Sequence, residues 1–185
     1  MSDRNLGWVN SKSDWDQFIG LLSPTPGERI LDVGAGRGTV AGRIIDEWSM
    51  TSIYAVDPDE ERVTKMRRDF PKVNASVAAA ERLPFPDAHF DKVYTTMALH
   101  HYADLGVALS EIGRVLKQGG AFVVLEVDRR SAKGMLFRFF GRLTGEHMNM
   151  MTEEELTARL GLSALFKKVR SIRQGSSYLV QLTRA

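Results

Sequence analysis

The 185-residue sequence contains no cysteine, which excludes disulfides, thiolate metal sites and thiol nucleophiles. No apolar run reaches the roughly 18 residues of a membrane-spanning helix. The polar start Met1-Ser2-Asp3-Arg4-Asn5 lacks the apolar stretch of a secretion signal. The cytoplasm is therefore the expected location. No conspicuous cluster of His, Asp and Glu is present, so no metal is expected. What remains is 43% hydrophobic and 26% charged, the balance of a globular protein with one sizeable core, and residues 1–185 are expected to form a single domain.

Charge of one sign is scarce locally rather than overall. The net charge is +2, but residues 1–113 hold 12 Lys/Arg against 17 Asp/Glu, and residues 114–185 hold 13 against 6. A basic C-terminal part suits an anionic substrate, a membrane surface, RNA, or simply a solvated face.

Apolar spacing predicts a helix over 15–22, ended by Ser23-Pro24-Thr25-Pro26-Gly27. Strands are expected at 29–33, 52–56, 73–78 and 90–95, with helices at 38–48, 58–70 and 105–116 between them. Gly119-Gly120 reads as a helix stop before the apolar strand 121–125. Such alternation argues for an α/β, doubly wound sheet. Beyond it, a basic, aromatic helix is expected at 133–143. Thr152-x-x-Glu155 has the form of a capping box, and a closing hairpin spans 167–183.

The stretch Ile30-Leu31-Asp32-Val33-Gly34-Ala35-Gly36-Arg37-Gly38-Thr39 carries an apolar strand straight into a glycine-rich turn. A turn of this kind lets a ligand touch the backbone, with the positive end of the next helix behind it. A dinucleotide fingerprint needs G-x-G-x-x-G. Here the third glycine would fall at position 39, which is Thr39, so the pattern is G-x-G-x-G. Asp57 closes the next strand, where an acidic side chain can accept hydrogen bonds from the hydroxyls of a ribose.

Ile30 to Gly38, Tyr54-Ala55-Val56-Asp57 and Ala80-Glu81-Arg82-Leu83-Pro84-Phe85 together resemble the class I S-adenosylmethionine-dependent methyltransferases. The likeness is closer to the small-molecule branch that includes quinone-biosynthesis enzymes. Phe90-Asp91-Lys92-Val93-Tyr94, Leu99-His100-His101 and Glu111 through Gly120 extend it over residues 29–126. It thins over the variable segment 127–165.

The resemblance implies a Rossmann-like seven-stranded sheet of order 3-2-1-4-5-7-6, with the last strand antiparallel. It implies S-adenosylmethionine as cofactor, S-adenosylhomocysteine as product, and a small-molecule methyl acceptor, apolar or quinone-like. Gly34, Ala35 and Gly36 would hold the methionine part and Asp32 would orient its amino group. Asp57 would clamp the ribose. Ala80 and Glu81 would border the adenine, with Pro58 near it and Met97 and Ala98 on the fourth-strand side. Many relatives have Asp where this chain has Ala79, which leaves the adenine amino group to backbone or Glu81. Gln118 stands where Pro is usual.

A methyl donor that is already activated needs an acceptor held in line, and a base only when the acceptor has a proton to lose. For that base the sequence offers His100, His101, Tyr102, Glu126, Asp128 and His147, near strand ends or in the variable segment, with His100 and His101 the candidate catalytic residues. Adjacent histidines point in different directions and make a poor joint metal site. Gly134 to Leu143, with three phenylalanines, reads as a helix packed on the core, a lid over an apolar pocket, or a membrane-surface helix. Nucleic acid is not an expected partner, since no RNA-binding module is recognisable. Three rival readings stay open: a nicotinamide-dependent oxidoreductase, a non-catalytic S-adenosylmethionine-binding protein and an RNA methyltransferase. Oligomeric state is beyond the sequence.

Overall fold

A computed structural model describes residues 12–144, 149–162 and 164–185; His147 lies outside them. The elements follow in order as α1 (Lys12–Leu22), β1 (Arg29–Val33), α2 (Thr39–Glu47), β2 (Ser52–Asp57), α3 (Glu60–Asp69), β3 (Asn74–Val77) and β4 (Phe90–Thr96). After a 3-10 turn (Leu99–His101) come α4 (Leu105–Val115), β5 (Leu116–Val127), α5 (Ala132–Thr144), α6 (Glu153–Leu162), β6 (Phe166–Gln174) and β7 (Ser177–Arg184). The sheet order is β3-β2-β1-β4-β5-β7-β6. β7 runs antiparallel to β5 and β6, while β3, β2, β1, β4 and β5 pair in parallel. This is the fold the resemblance implies.

Strand side chains alternate between faces, and the core divides accordingly. Val93, Phe122 and Val124 join α4 and α6 residues such as Ile112 and Leu156 on one face. Tyr94, Val123 and Leu125 join Phe18 of α1, Ile44 of α2 and Met66 of α3 on the other. Near-continuous apolar strands are buried on both sides in this way. The chain winds outward from β1 in one direction and from β4 in the other. The crevice outside their carboxyl ends is where open α/β sheets bind ligands.

Two expectations are corrected. Gly119-Gly120 is not a helix stop: α4 ends at Val115 and β5 already starts at Leu116. The glycines sit in a bulge where Phe90 pairs Leu116 but Lys92 pairs Ala121. A Cβ on Gly120 would lie 2.8 Å from the Asp91 carbonyl oxygen, so the strand needs glycine at this crossing. The second concerns α5, which does not pack on the core through its apolar stripe. It meets the body through Gly134, where a Cβ would lie 2.2 Å from the Asp128 carbonyl oxygen. Met135, Leu136, Phe139 and Leu143 are left exposed.

The capping box is present, with Thr152 N–H donating to Glu155 Oε2 at 2.9 Å and Glu155 N–H to Thr152 Oγ1 at 3.2 Å. It starts α6, which returns the chain to the closing hairpin. Among the described residues no helix is long and apolar enough to cross a membrane.

Candidate cofactor site

The turn after β1 is tied to β2 by backbone. Gly34 N–H and Ala35 N–H both donate to the Val56 carbonyl oxygen at 2.9 Å. Gly34 has φ +77°, and a Cβ there would lie 2.5 Å from the Ala98 Cβ, so glycine is required both for its conformation and for the space. Gly36 has φ +57°, and a Cβ would meet nothing within 4 Å, because this backbone borders an open cavity. Its N–H donates to Asp57 Oδ2 at 2.8 Å, while Oδ1 accepts from Asp59 N–H at 3.1 Å. Asp57 is buried, and each of its oxygens keeps a further lone pair for a ligand.

α2 opens at Gly38 with no side-chain cap on its first-turn N–H groups. By contrast, α3 is capped by Asp59 and α4 by Asp104. An uncapped helix start facing a cavity is a ready anion site; Thr39 and Val40, its first residues, line that cavity.

The far wall comes from the loop after β3. Arg114 on α4 holds it by donating to the carbonyl oxygens of Leu83 and Phe85 at 3.0 and 2.7 Å, with Asp87 Oδ1 at 2.9 Å. Glu111 pairs with Arg114 and accepts the Leu83 N–H at 2.8 Å. Glu81 Oε1 accepts the Asp104 N–H at 3.1 Å, which leaves Oε2 for other donors. On the β4 side Met97 has φ +54°, with its N–H tied to the Leu125 carbonyl oxygen at 2.9 Å. Tyr102 hydroxyl reaches Thr95 Oγ1 at 2.9 Å and the Val33 carbonyl oxygen at 3.1 Å, bracing the glycine turn.

These walls enclose a cavity of about 730 Å³, within the roughly 300–1,000 Å³ of small-molecule sites. Of the residues singled out in the sequence, Gly34, Ala35, Gly36, Asp57, Pro58, Ala80, Glu81, Met97, Ala98 and His101 line it. Asp32 and His100 do not. Tyr102, offered by the sequence as a possible base, also lines it, as do Arg37, Arg62 and Thr96, for which the sequence suggested no role. Arg62 stands five residues after Asp57 on α3, a position that the helix expected over 58–70 already placed near the strand end. For the bracing of the glycine turn by Tyr102 no local signal exists.

His100 and Glu126 form a buried pair, Nδ1 to Oε1 at 2.8 Å. Glu126 also accepts the N–H groups of Val127 at 3.0 Å and His100 at 3.3 Å. With these backbone donors already on the carboxyl oxygens, Nδ1 is the donor of the 2.8 Å bond. The His101 ring lies 4.2 Å from the His100 ring, centroid to centroid.

Asp32 is fully buried and neither of its oxygens has a hydrogen-bond partner among the described residues. Burial pushes its carboxyl up to about 8, and the nearby Asp57 adds to this. The Tyr94 hydroxyl opposes the shift, although it does not reach hydrogen-bonding geometry.

The sequence profile of the methyltransferase domain matches residues 31–124, just over half of the chain. The chain belongs to this family. It is the class I, S-adenosylmethionine-dependent type, which agrees with the sheet order. The methyltransferase fold is similar to that of a SAM-dependent methyltransferase of Aquifex aeolicus, with a TM-score of 0.78 over 100% of this chain and 94% of that one, at 18% identity. A ubiquinone/menaquinone biosynthesis C-methyltransferase of Caulobacter vibrioides is 33% identical over 125 residues, 62% of this chain and 50% of that protein. An uncharacterized methyltransferase of Mycobacterium tuberculosis is 34% identical over 129 residues, 70% of this chain and 51% of that protein. The chain thus spans about half the length of the curated relatives it matches.

Membership implies S-adenosylmethionine as cofactor, and the site fits it. The Gly36 backbone leaves room where a side chain would intrude, and the bare start of α2 suits the methionine carboxylate. Asp57 has spare acceptor capacity for ribose hydroxyls. Asp32, buried and without a hydrogen-bond partner among the described residues, does not line the cavity, so the amino-group role expected of it finds no contact there.

Proposed function

We propose that this protein transfers a methyl group from S-adenosylmethionine to a small apolar acceptor of the quinone or phenol type. The observation that carries the reading is the cavity bounded by the Gly34–Gly36 backbone, the Asp57 carboxylate and the Glu81 loop. Quinone-biosynthesis C-methylation among relatives supports the acceptor class. The bound cofactor supplies an electrophilic methyl group on a positively charged sulfur. The chain's own residues bind and orient it: Gly34 to Gly36 and the start of α2 take the methionine end, Asp57 the ribose, and Ala80, Glu81 and Pro58 the adenine border. Met97 and Ala98 close the β4 side. Holding acceptor and methyl in line contributes roughly 7–11 kcal/mol in well-oriented cases.

The acceptor's proton leaves through His101, which lines the cavity. His100 backs it, held by Glu126. Binding of S-adenosylhomocysteine but not of NAD, measured by calorimetry, tests the cofactor assignment. Incubation with methyl-labelled S-adenosylmethionine and a panel of quinols, phenols and short RNAs tests the acceptor. Label appearing only in RNA, or in no acceptor despite cofactor binding, would sink the proposal.

A further inference from the structure

Helix α5 carries Met135, Leu136, Phe139 and Leu143 at 58%, 52%, 59% and 67% exposure. At 3.6 residues per turn these four fall in an arc of about 100°. Gly134, which is buried, and Phe137, which is half-buried, lie on the opposite side, about half a turn away. The stripe therefore points away from the protein body. Other large exposed apolar residues, such as Met50, Val107 and Val169, are scattered singly, which is ordinary for a protein surface.

Charge flanks the stripe. The α5 sequence AKGMLFRFFGRLT contains three basic residues and no acidic one. Arg138 is exposed on one shoulder of the apolar arc, while half-buried Lys133 lies toward the body, its ammonium 5.5 Å from the Phe137 ring centroid. Arg130, exposed just before the helix, adds to the same end.

We infer that α5 is a docking surface for an anionic lipid bilayer, its apolar stripe entering the acyl boundary and the exposed Arg130 and Arg138 meeting the headgroups. An apolar stripe flanked by cations is the pattern of interfacial helices. Self-association through the same face would bring like charges together across a twofold axis. The docking also has a use. α5 follows the carboxyl end of β5, on the edge of the sheet where the cofactor cavity opens. Seating it on a bilayer brings that edge to the place where an apolar acceptor partitions. This functional meaning rests on the acceptor class proposed above; the docking itself does not.

The test is co-sedimentation of the full chain, without cofactor or acceptor, with vesicles of phosphatidylcholine alone or of equal parts phosphatidylcholine and phosphatidylglycerol. The protein is expected to pellet with the mixed vesicles, less so in high salt, and weakly with the neutral ones. Arg130→Gln with Arg138→Gln should reduce partitioning about thirtyfold, at the usual worth of a basic residue near an anionic surface. Met135→Ser with Leu136→Ser should reduce it by roughly tenfold or more. Both pairs are on the surface, and S-adenosylhomocysteine binding serves as the control for folding. No pelleting with either vesicle overturns the inference, and so does equal pelleting with both. A dimer that the serine variants dissolve, without vesicle binding, overturns it in favour of a second copy of the chain. None of these outcomes bears on methyl transfer, which is read separately in solution.

Discussion

The Asp57 carboxylate accepts the Gly36 N–H at 2.8 Å, so the residue that ends β2 holds the turn that ends β1. One side chain thus shapes the glycine turn and, with its remaining lone pairs, faces the cavity. Asp57→Asn turns one of these oxygens into a donor. Hydrogen bonds to a charged group are worth about 1.5–3 kcal/mol, so S-adenosylhomocysteine should bind roughly ten- to a hundredfold more weakly by calorimetry. Unchanged affinity would remove Asp57 from the ribose contact.

Gly34 and Gly36 both have positive φ but different surroundings, and alanine at each should separate folding from binding. At Gly34 the new methyl meets Ala98 at 2.5 Å as well as the left-handed strain. A loss of about 2–5 kcal/mol of stability is expected by urea unfolding. At Gly36 only the strain applies, about 1–2 kcal/mol, yet the methyl projects into the cavity proposed to hold the cofactor. Gly36→Ala should therefore fold and fail to bind. Equal effects of the two substitutions on stability would contradict this division.

Much of the site was legible because its parts are local. Gly34, Gly36 and Asp57 each stand at a strand end, where period and punctuation reveal them, and Thr39 in place of a glycine set the dinucleotide pattern aside. What required tertiary contact was not legible. Tyr102 braces the glycine turn through a carbonyl 69 positions away. Arg114 belonged to a recognised run, but its work of holding the Leu83–Asp87 loop shows only in space. The spacing of α5 marks a helix with an apolar side without saying whether that side turns in or out. Gly119-Gly120 looked like punctuation between elements and proved to be a bulge within one.

Asp32 gives the stability a pH dependence whose sign follows from its burial. Its carboxyl lies at about 8, against 3.8 ordinarily. Between those values the folded chain keeps a proton that the unfolded chain has released. Its contribution to stability therefore falls as pH rises through this window, by up to about 1.4 kcal/mol per unit, and levels off above. Asp32→Asn should flatten that slope when urea unfolding is compared at about pH 5 and about pH 8. A slope that survives the substitution would place the titration elsewhere.

Glu126 and His101 should report different things when changed. Among the described residues Glu126 meets N–H donors from His100 Nδ1 and two backbone groups, inside the protein. Glu126→Gln sets an amide N–H₂ against one of those donors, and a buried mismatch of that kind costs about 1–3 kcal/mol. The loss should appear in urea unfolding even with no acceptor present. His101 faces the cavity, so its substitution should appear in the chemistry. With an acceptor that must lose a proton, His101→Ala should lower kcat by roughly 10²–10⁴. Affinity for S-adenosylhomocysteine should hold. Raising the pH, which ionises a phenolic acceptor in solution, should restore part of the lost rate because the base is then less needed. If His101→Ala keeps the full rate while a His100 substitution abolishes it, the proton leaves through His100, and Glu126 is then the residue that orients the base.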